Sequence, residues 1–152
     1  MRAVIIGAGN AGSNLAVKLC QEKHDVVLVD RNAAALAQVE SQLDVLTVEG
    51  HGCNPRILEE AELSKAQLAV AVTNSDEVNI LACYQAACAG VQYKVARIGN
   101  PDYLRPDSSL SLASAGVDLA VDPREECAED ILNNLKLPGT QEVVRLLGGR
   151  VL

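Results

Sequence analysis

A doubly wound, all-parallel α/β sheet of six strands is the fold class predicted for this 152-residue chain, and three observations predict it. Six short runs of four to six residues rich in Val, Ile or Leu recur along the sequence, the signature of strands buried on both faces. Segments of helical length, most of them rich in alanine, separate those runs, so that strand and helix alternate. The first run leads directly into three glycines, Gly7, Gly9 and Gly12, and from there into a helical segment.

Taken in order, strands are expected over residues 2–6, 25–30, 45–49, 68–73, 93–97 and 117–121, and helices over 11–22, 33–42, 56–61, 77–89 and 108–115. Right-handed crossovers wind such a series into one parallel sheet with helices on both faces. Ser75 or Asn74 is suited to cap the helix that begins near Asp76, while Asp76 and Glu77 place negative charge at its positive dipole end. Asp122-Pro123 sets a capping side chain before a proline tolerated in a first helical turn, so a last helix is expected over 123–135, ended by Pro138-Gly139. The closing stretch TQEVVRLLGGRVL reads as a strand, a Gly148-Gly149 turn and the start of another strand. A domain is therefore expected over residues 1–136, with 137–152 a linker or the opening of a further domain.

Composition narrows the class of function. The hydrophobic share is 49% with three Tyr and neither Phe nor Trp, so the core is aliphatic, and a chain of this length buries roughly 70% of its unfolded surface. Thirteen basic against twenty acidic residues give a net charge of −7 with no basic cluster, which argues against nucleic acid as a partner. The five cysteines are odd in number and lack C-x-x-C spacing, as expected of reduced thiols rather than a disulfide frame or a zinc site. Cys20, Cys83 and Cys88 fall in expected helices and read as small hydrophobes. The first apolar run is far shorter than the ~20 residues of a membrane span, so no direct insertion into a membrane is expected.

Gly7, Gly9 and Gly12 form G-x-G-x-x-G between a strand and a helix, the context in which the motif marks a dinucleotide-binding, Rossmann-like fold. Gly7 suits the tight turn, Gly9 close approach to a pyrophosphate, and Gly12 close packing of helix on sheet, with phosphates held by free N–H groups at the helix N-terminus. Asp30 ends the second strand eighteen residues after Gly12, where a carboxylate can accept hydrogen bonds from an adenosine ribose. That carboxylate would repel a 2′-phosphate, which favours NAD or NADH over NADP and leaves ATP or ADP as the next candidates. Arg31 beside it could offset the repulsion or stack on adenine.

The stretches EGHGCNP and VTNSDEVN follow the third and fourth strands, at the carboxyl edge where open α/β sheets bind ligands. Thr73 and Asn74 are candidates for contact there, whereas Asp76 and Glu77 read equally as a charge pair at a helix start. Arg97, at the end of the fifth strand, points either to a ligand or to a surface carboxylate. His51 reads as a loop residue between glycines. No Tyr-x-x-x-Lys, G-x-S-x-G or H-E-x-x-H motif is present, and no second domain to hold a substrate over a nicotinamide ring is visible. A sensor of the nucleotide rather than an enzyme is thus expected, the alternative being the cofactor half of an NAD-dependent dehydrogenase.

Nearly the whole chain resembles the RCK or KTN nucleotide-binding domain of Trk-type potassium uptake regulators. The resemblance is carried by VIIGAGNAGSNLA with VVLVDRN, by LTVEGHGCNPRILEEA, AVAVTNSDEVNILAC and VARIGNPDY, and by VDLAVDPREECAEDILNNL. It implies phosphate contacts along Gly7, Ala8, Gly9, Asn10, Ala11 and Gly12, and ribose contacts at Asp30 with Arg31 nearby. It further implies that Gly50 and His51 lie near the adenine, Thr73 and Asn74 beside the nicotinamide, and Arg97 toward the phosphates. His51 departs from the pattern, which more often has aspartate in a G-D-A type loop at that place. The resemblance also implies a cytoplasmic regulatory subunit, peripheral on the inner face of the membrane through a membrane-embedded potassium transporter subunit, and assembled as a homodimer or higher homo-oligomer. Because such proteins usually continue into a small C-terminal domain, the chain is expected to be the N-terminal piece of a longer protein.

Overall fold

The structure is a computed structural model, described over residues 1–122 and 124. Its strands are β1 (Arg2–Ile6), β2 (Asp25–Asp30), β3 (Leu46–Glu49), β4 (Leu68–Ala71), β5 (Tyr93–Arg97) and β6 (Leu119–Val121). The helices are α1 (Asn10–Gln21), α2 (Ala33–Glu40), α3 (Pro55–Glu60) and α4 (Asp76–Cys88), with short 3-10 turns at Leu63–Lys65 and Pro101–Tyr103. All strand pairs are parallel, in the order β3-β2-β1-β4-β5-β6. This is the doubly wound, Rossmann-like sheet expected from the alternation of runs, and its strand order reverses between β1 and β4.

Alternate side chains of β1 enter different cores. Ala3 and Ile5 pack with Ala16, Leu19, Leu36 and Val39 of α1 and α2, whereas Val4 and Ile6 pack with Leu58 of α3 and Ile80, Ala82 and Cys83 of α4. Ile5 and Ile6, on opposite faces, are 0% and 1% exposed, and each contributes about 1.5–3 kcal/mol by its burial. Alanines at the helix–sheet contacts let the helices lie close to the strands. Among the described residues no helix is long and apolar enough to cross a membrane.

One expected element is not formed. Residues 108–115 make turns rather than a helix, because the hydroxyls of Ser108 and Ser111 accept the N–H groups of Leu110 and Ser114 and so compete with helical pairing. A single turn closes from the Ala115 N–H to the Ser111 carbonyl at 2.9 Å, and the chain leaves it through Gly116 at φ +81°. The last helix expected over 123–135, its stop, and the closing strands lie outside the described residues, Arg124 excepted.

Candidate functional site

The three motif glycines are glycine for different reasons. Gly7 stands at φ +113°, a conformation that L side chains rarely adopt, and a Cβ there would lie 3.0 Å from the backbone N of Thr73. A Cβ on Gly12 would lie 1.8 Å from the Gly7 carbonyl oxygen, so α1 can sit this close to the turn only without one. Gly9 is different, because its φ of −70° and ψ of −173° suit any residue and a Cβ would meet nothing within 4 Å.

Gly9 also precedes the one α-helix among those described whose start has no side-chain cap. Asn32, Asn54 and Ser75 cap α2, α3 and α4 by accepting backbone N–H groups, whereas α1 has neither a cap nor an acidic residue in its first turn. Its first N–H groups and the positive end of its dipole are left to whatever lies beyond Gly9. An anion is the favoured occupant.

Beyond Gly9 lies a cavity of about 650 Å³ at the carboxyl edge, where the strand order reverses. Of the residues named from sequence, it is lined by Gly7, Ala8, Gly9, Asp30, Arg31, Gly50, His51, Thr73 and Asn74. Asn10, Ala11, Gly12 and Arg97 do not line it. Asn32, Gly52, Ser75 and Val78 line it as well. Ser75 was legible only as a helix cap, while Gly52 carried a signal in its place between His51 and Cys53 after the third strand.

Asp30 has a structural task that sequence reasoning missed. Its Oδ2 accepts the Ala8 N–H at 2.6 Å and its Oδ1 the Asn32 N–H at 2.8 Å, so it fastens the glycine loop to the start of α2. A carboxylate offers about four acceptor positions, and two bonds leave room for ribose hydroxyls. Arg31 is exposed at the cavity wall. His51, also exposed, has Nδ1 3.1 Å from the Cys53 Sγ.

The wall after β4 is a bonded network. Arg97 Nη1 donates to the Thr73 carbonyl at 3.3 Å and to Asn74 Oδ1 at 3.1 Å, which sets the guanidinium behind the cavity-lining pair. Asp76 accepts the N–H groups of Gly99 and Asn100 at 2.9 and 2.7 Å, and Glu77 accepts the hydroxyls of Ser75 and Tyr103 at 2.7 and 3.0 Å. Neither carboxylate lines the cavity. The Ser75 hydroxyl, then the Glu77 backbone N–H and the Tyr103 hydroxyl, hold the Glu77 carboxyl below its ordinary range, and the same bond raises Tyr103.

Residues 3–123 match the TrkA-N domain family over most of the chain. The chain belongs to the TrkA-N family. The Trk system potassium uptake protein TrkA of Azorhizobium caulinodans is 38% identical over 155 residues, a match covering 100% of this chain and 34% of that protein. The chain thus spans about a third of the length of the curated relatives it matches. The TrkA-N domain of the inner membrane protein ybaL from Escherichia coli superposes with a TM-score of 0.76 at 20% identity, covering 88% of this chain and 96% of that one. A GsuK channel bound to NAD superposes with a TM-score of 0.66 at 24% identity, covering 88% of this chain and 23% of that one. These two likenesses show that the TrkA-N fold described above is shared.

Proposed function

We propose that this TrkA-N domain binds NAD or NADH, with ATP or ADP as the second candidates, and that the bound nucleotide regulates a potassium transporter. Gly9 carries the reading. The fold itself has no need of glycine there, whereas a pyrophosphate approaching the uncapped start of α1 does. Asp30 supports an adenosine ribose within reach of the same cavity, and its charge disfavours a 2′-phosphate. The backbone of Gly7 to Gly12 would take the phosphates, Gly50 and His51 would flank the adenine, and Thr73 and Asn74 would meet the nicotinamide side. Arg97, held at Asn74, would bring its charge toward the phosphates.

The nucleotide-binding domain spans residues 1–136 in this reading, and the remainder leads into a further domain of a longer cytoplasmic protein. That protein is a homodimer or higher homo-oligomer, peripheral on the inner face of the membrane through its transporter subunit. It acts without turning the nucleotide over: a ligand shifts the arrangement of paired domains by its difference in affinity for the two arrangements. The names of the TrkA relatives support this role, and the GsuK channel bound to NAD supports the choice of ligand.

Thermal unfolding with NADH, NAD, ATP, ADP and NADPH tests the ranking, since a ligand at a hundred times its Kd stabilises by about 2.7 kcal/mol. NADH and NAD are expected to raise Tm most and NADPH least. Steady consumption of NADH with a small-molecule acceptor would overturn the regulatory reading in favour of the cofactor half of a dehydrogenase.

A further inference from the structure

We propose that Asn79, which does not line the cavity, is a positioning residue for it: its carboxamide sets Thr73 and the end of β5, and through Thr73 the seat of the glycine loop. The proposal rests on the nucleotide reading above. Asn79 lies in the first turn of α4 and is 0% exposed. A polar side chain so buried costs stability unless its groups are all bonded.

Here they are. Oδ1 accepts the Thr73 N–H at 2.9 Å and the Thr73 hydroxyl at 2.7 Å, while Nδ2 donates to the Thr73 carbonyl at 3.1 Å and the Arg97 carbonyl at 2.8 Å. The sense of the amide is set by its partners, because a backbone N–H only donates and a carbonyl only accepts. No other side chain of this size offers two acceptor sites and two donors. Aspartate lacks the donors, leucine lacks both, and glutamine is one methylene too long.

Thr73 is thereby gripped by its N–H, its hydroxyl and its carbonyl together. Its backbone N is also one of the atoms 3.0 Å from the place where a Cβ would stand on Gly7, so Thr73 and the glycine turn are in close backbone contact. In an interior packed without slack, a displacement of Thr73 is passed on to that turn. The same Thr73 carbonyl receives Arg97 Nη1, so Asn79 and Arg97 meet on one atom and the guanidinium is fixed relative to the cavity wall. A residue that touches no ligand thus sets both a phosphate loop and a cation.

Asn79→Asp keeps the shape and the acceptor but turns the donor into an oxygen facing two carbonyls. NADH should then bind at least about tenfold more weakly by calorimetry, at a temperature where circular dichroism shows the variant fully folded. The backbone amide resonances of Gly7, Ala8 and Gly9 should also move in the unliganded variant. A lowered Tm with wild-type affinity and unmoved glycine-loop resonances would make Asn79 a structural residue only and overturn the proposal. Where Asn79→Asp does not fold, the wild-type protein carries the test, since saturating NADH should move the side-chain amide resonances of Asn79, and unmoved resonances overturn it. If the wild-type protein binds no NADH the nucleotide reading fails, while the glycine-loop resonances of the unliganded variant still decide whether Asn79 seats that loop.

Discussion

Replacing Gly9 by alanine separates what the fold needs from what a ligand needs. Its backbone conformation is open to alanine and the added methyl meets nothing within 4 Å, so the folded state accepts it without strain. The unfolded chain loses freedom, which stabilises by about 0.4–1 kcal/mol. Alanine is a poorer N-cap than glycine by a similar amount, and the two effects offset to a net change within about 1 kcal/mol. If the proposed reading holds, however, the methyl would fill the space through which a pyrophosphate reaches the N–H groups of the first turn of α1. Losing one charge-assisted hydrogen bond of about 1.5–3 kcal/mol weakens binding about tenfold to a hundredfold. Gly12→Ala is the converse control, because its Cβ would lie 1.8 Å from the Gly7 oxygen and the packing must give way, at a cost of about 1–3 kcal/mol or more. Thermal unfolding and NADH calorimetry on both variants are expected to show Gly9→Ala stable and weak-binding, and Gly12→Ala unstable. Wild-type NADH affinity in Gly9→Ala would refute the argument from Gly9.

Four further outcomes are expected. Asp30→Ala should weaken NADH binding about tenfold or more by calorimetry, and should also lower the Tm of the unliganded protein because the amides of Ala8 and Asn32 lose their acceptor. Asp76→Ala should destabilise by about 1–3 kcal/mol in urea unfolding, because the N–H groups of Gly99 and Asn100 lose a charged partner and the start of α4 loses a negative charge. Burial pushes the Cys83 thiol up from 9.0 to about 12, so the folded state holds its proton more tightly than the unfolded chain. That contribution is present in full below pH 9 and is lost as pH rises toward about 12, so stability should fall across that window less steeply in Cys83→Ala. With a thiol reagent, exposed Cys88 should react at once and Cys83 only on unfolding.

Much of the framework could be read from periodicity. The bounds of β1, β2 and β5 coincide with those expected; β1 and β2, buried along most of their length, carry a nearly unbroken apolar run, whereas β5 is YKVAR and only partly buried. The misplaced ends have physical causes in groups outside the sheet that take over backbone partners. Strand β4 stops at Ala71 rather than at residue 73 because the Thr73 N–H leaves the ladder for Asn79 Oδ1. Strand β6 starts at Leu119 rather than at 117 because the Val117 N–H closes the preceding turn on the Leu112 carbonyl. Ser108 and Ser111 dissolved an expected helix by the same kind of competition. The glycine loop and Asp30 were visible as a motif, but the bond from Ala8 to Asp30 and the grip of Asn79 on Thr73 were not. Both join residues whose meeting depends on how strands and helices pack.

Titration of the wild-type chain with NADH by isothermal calorimetry bears most directly on the central claim, that the cavity behind Gly9 takes a dinucleotide. Saturable binding of one NADH per chain, weakened about tenfold or more in Gly9→Ala, is the expected result. Absence of any binding of NADH, NAD, ATP or ADP to the folded protein would contradict it.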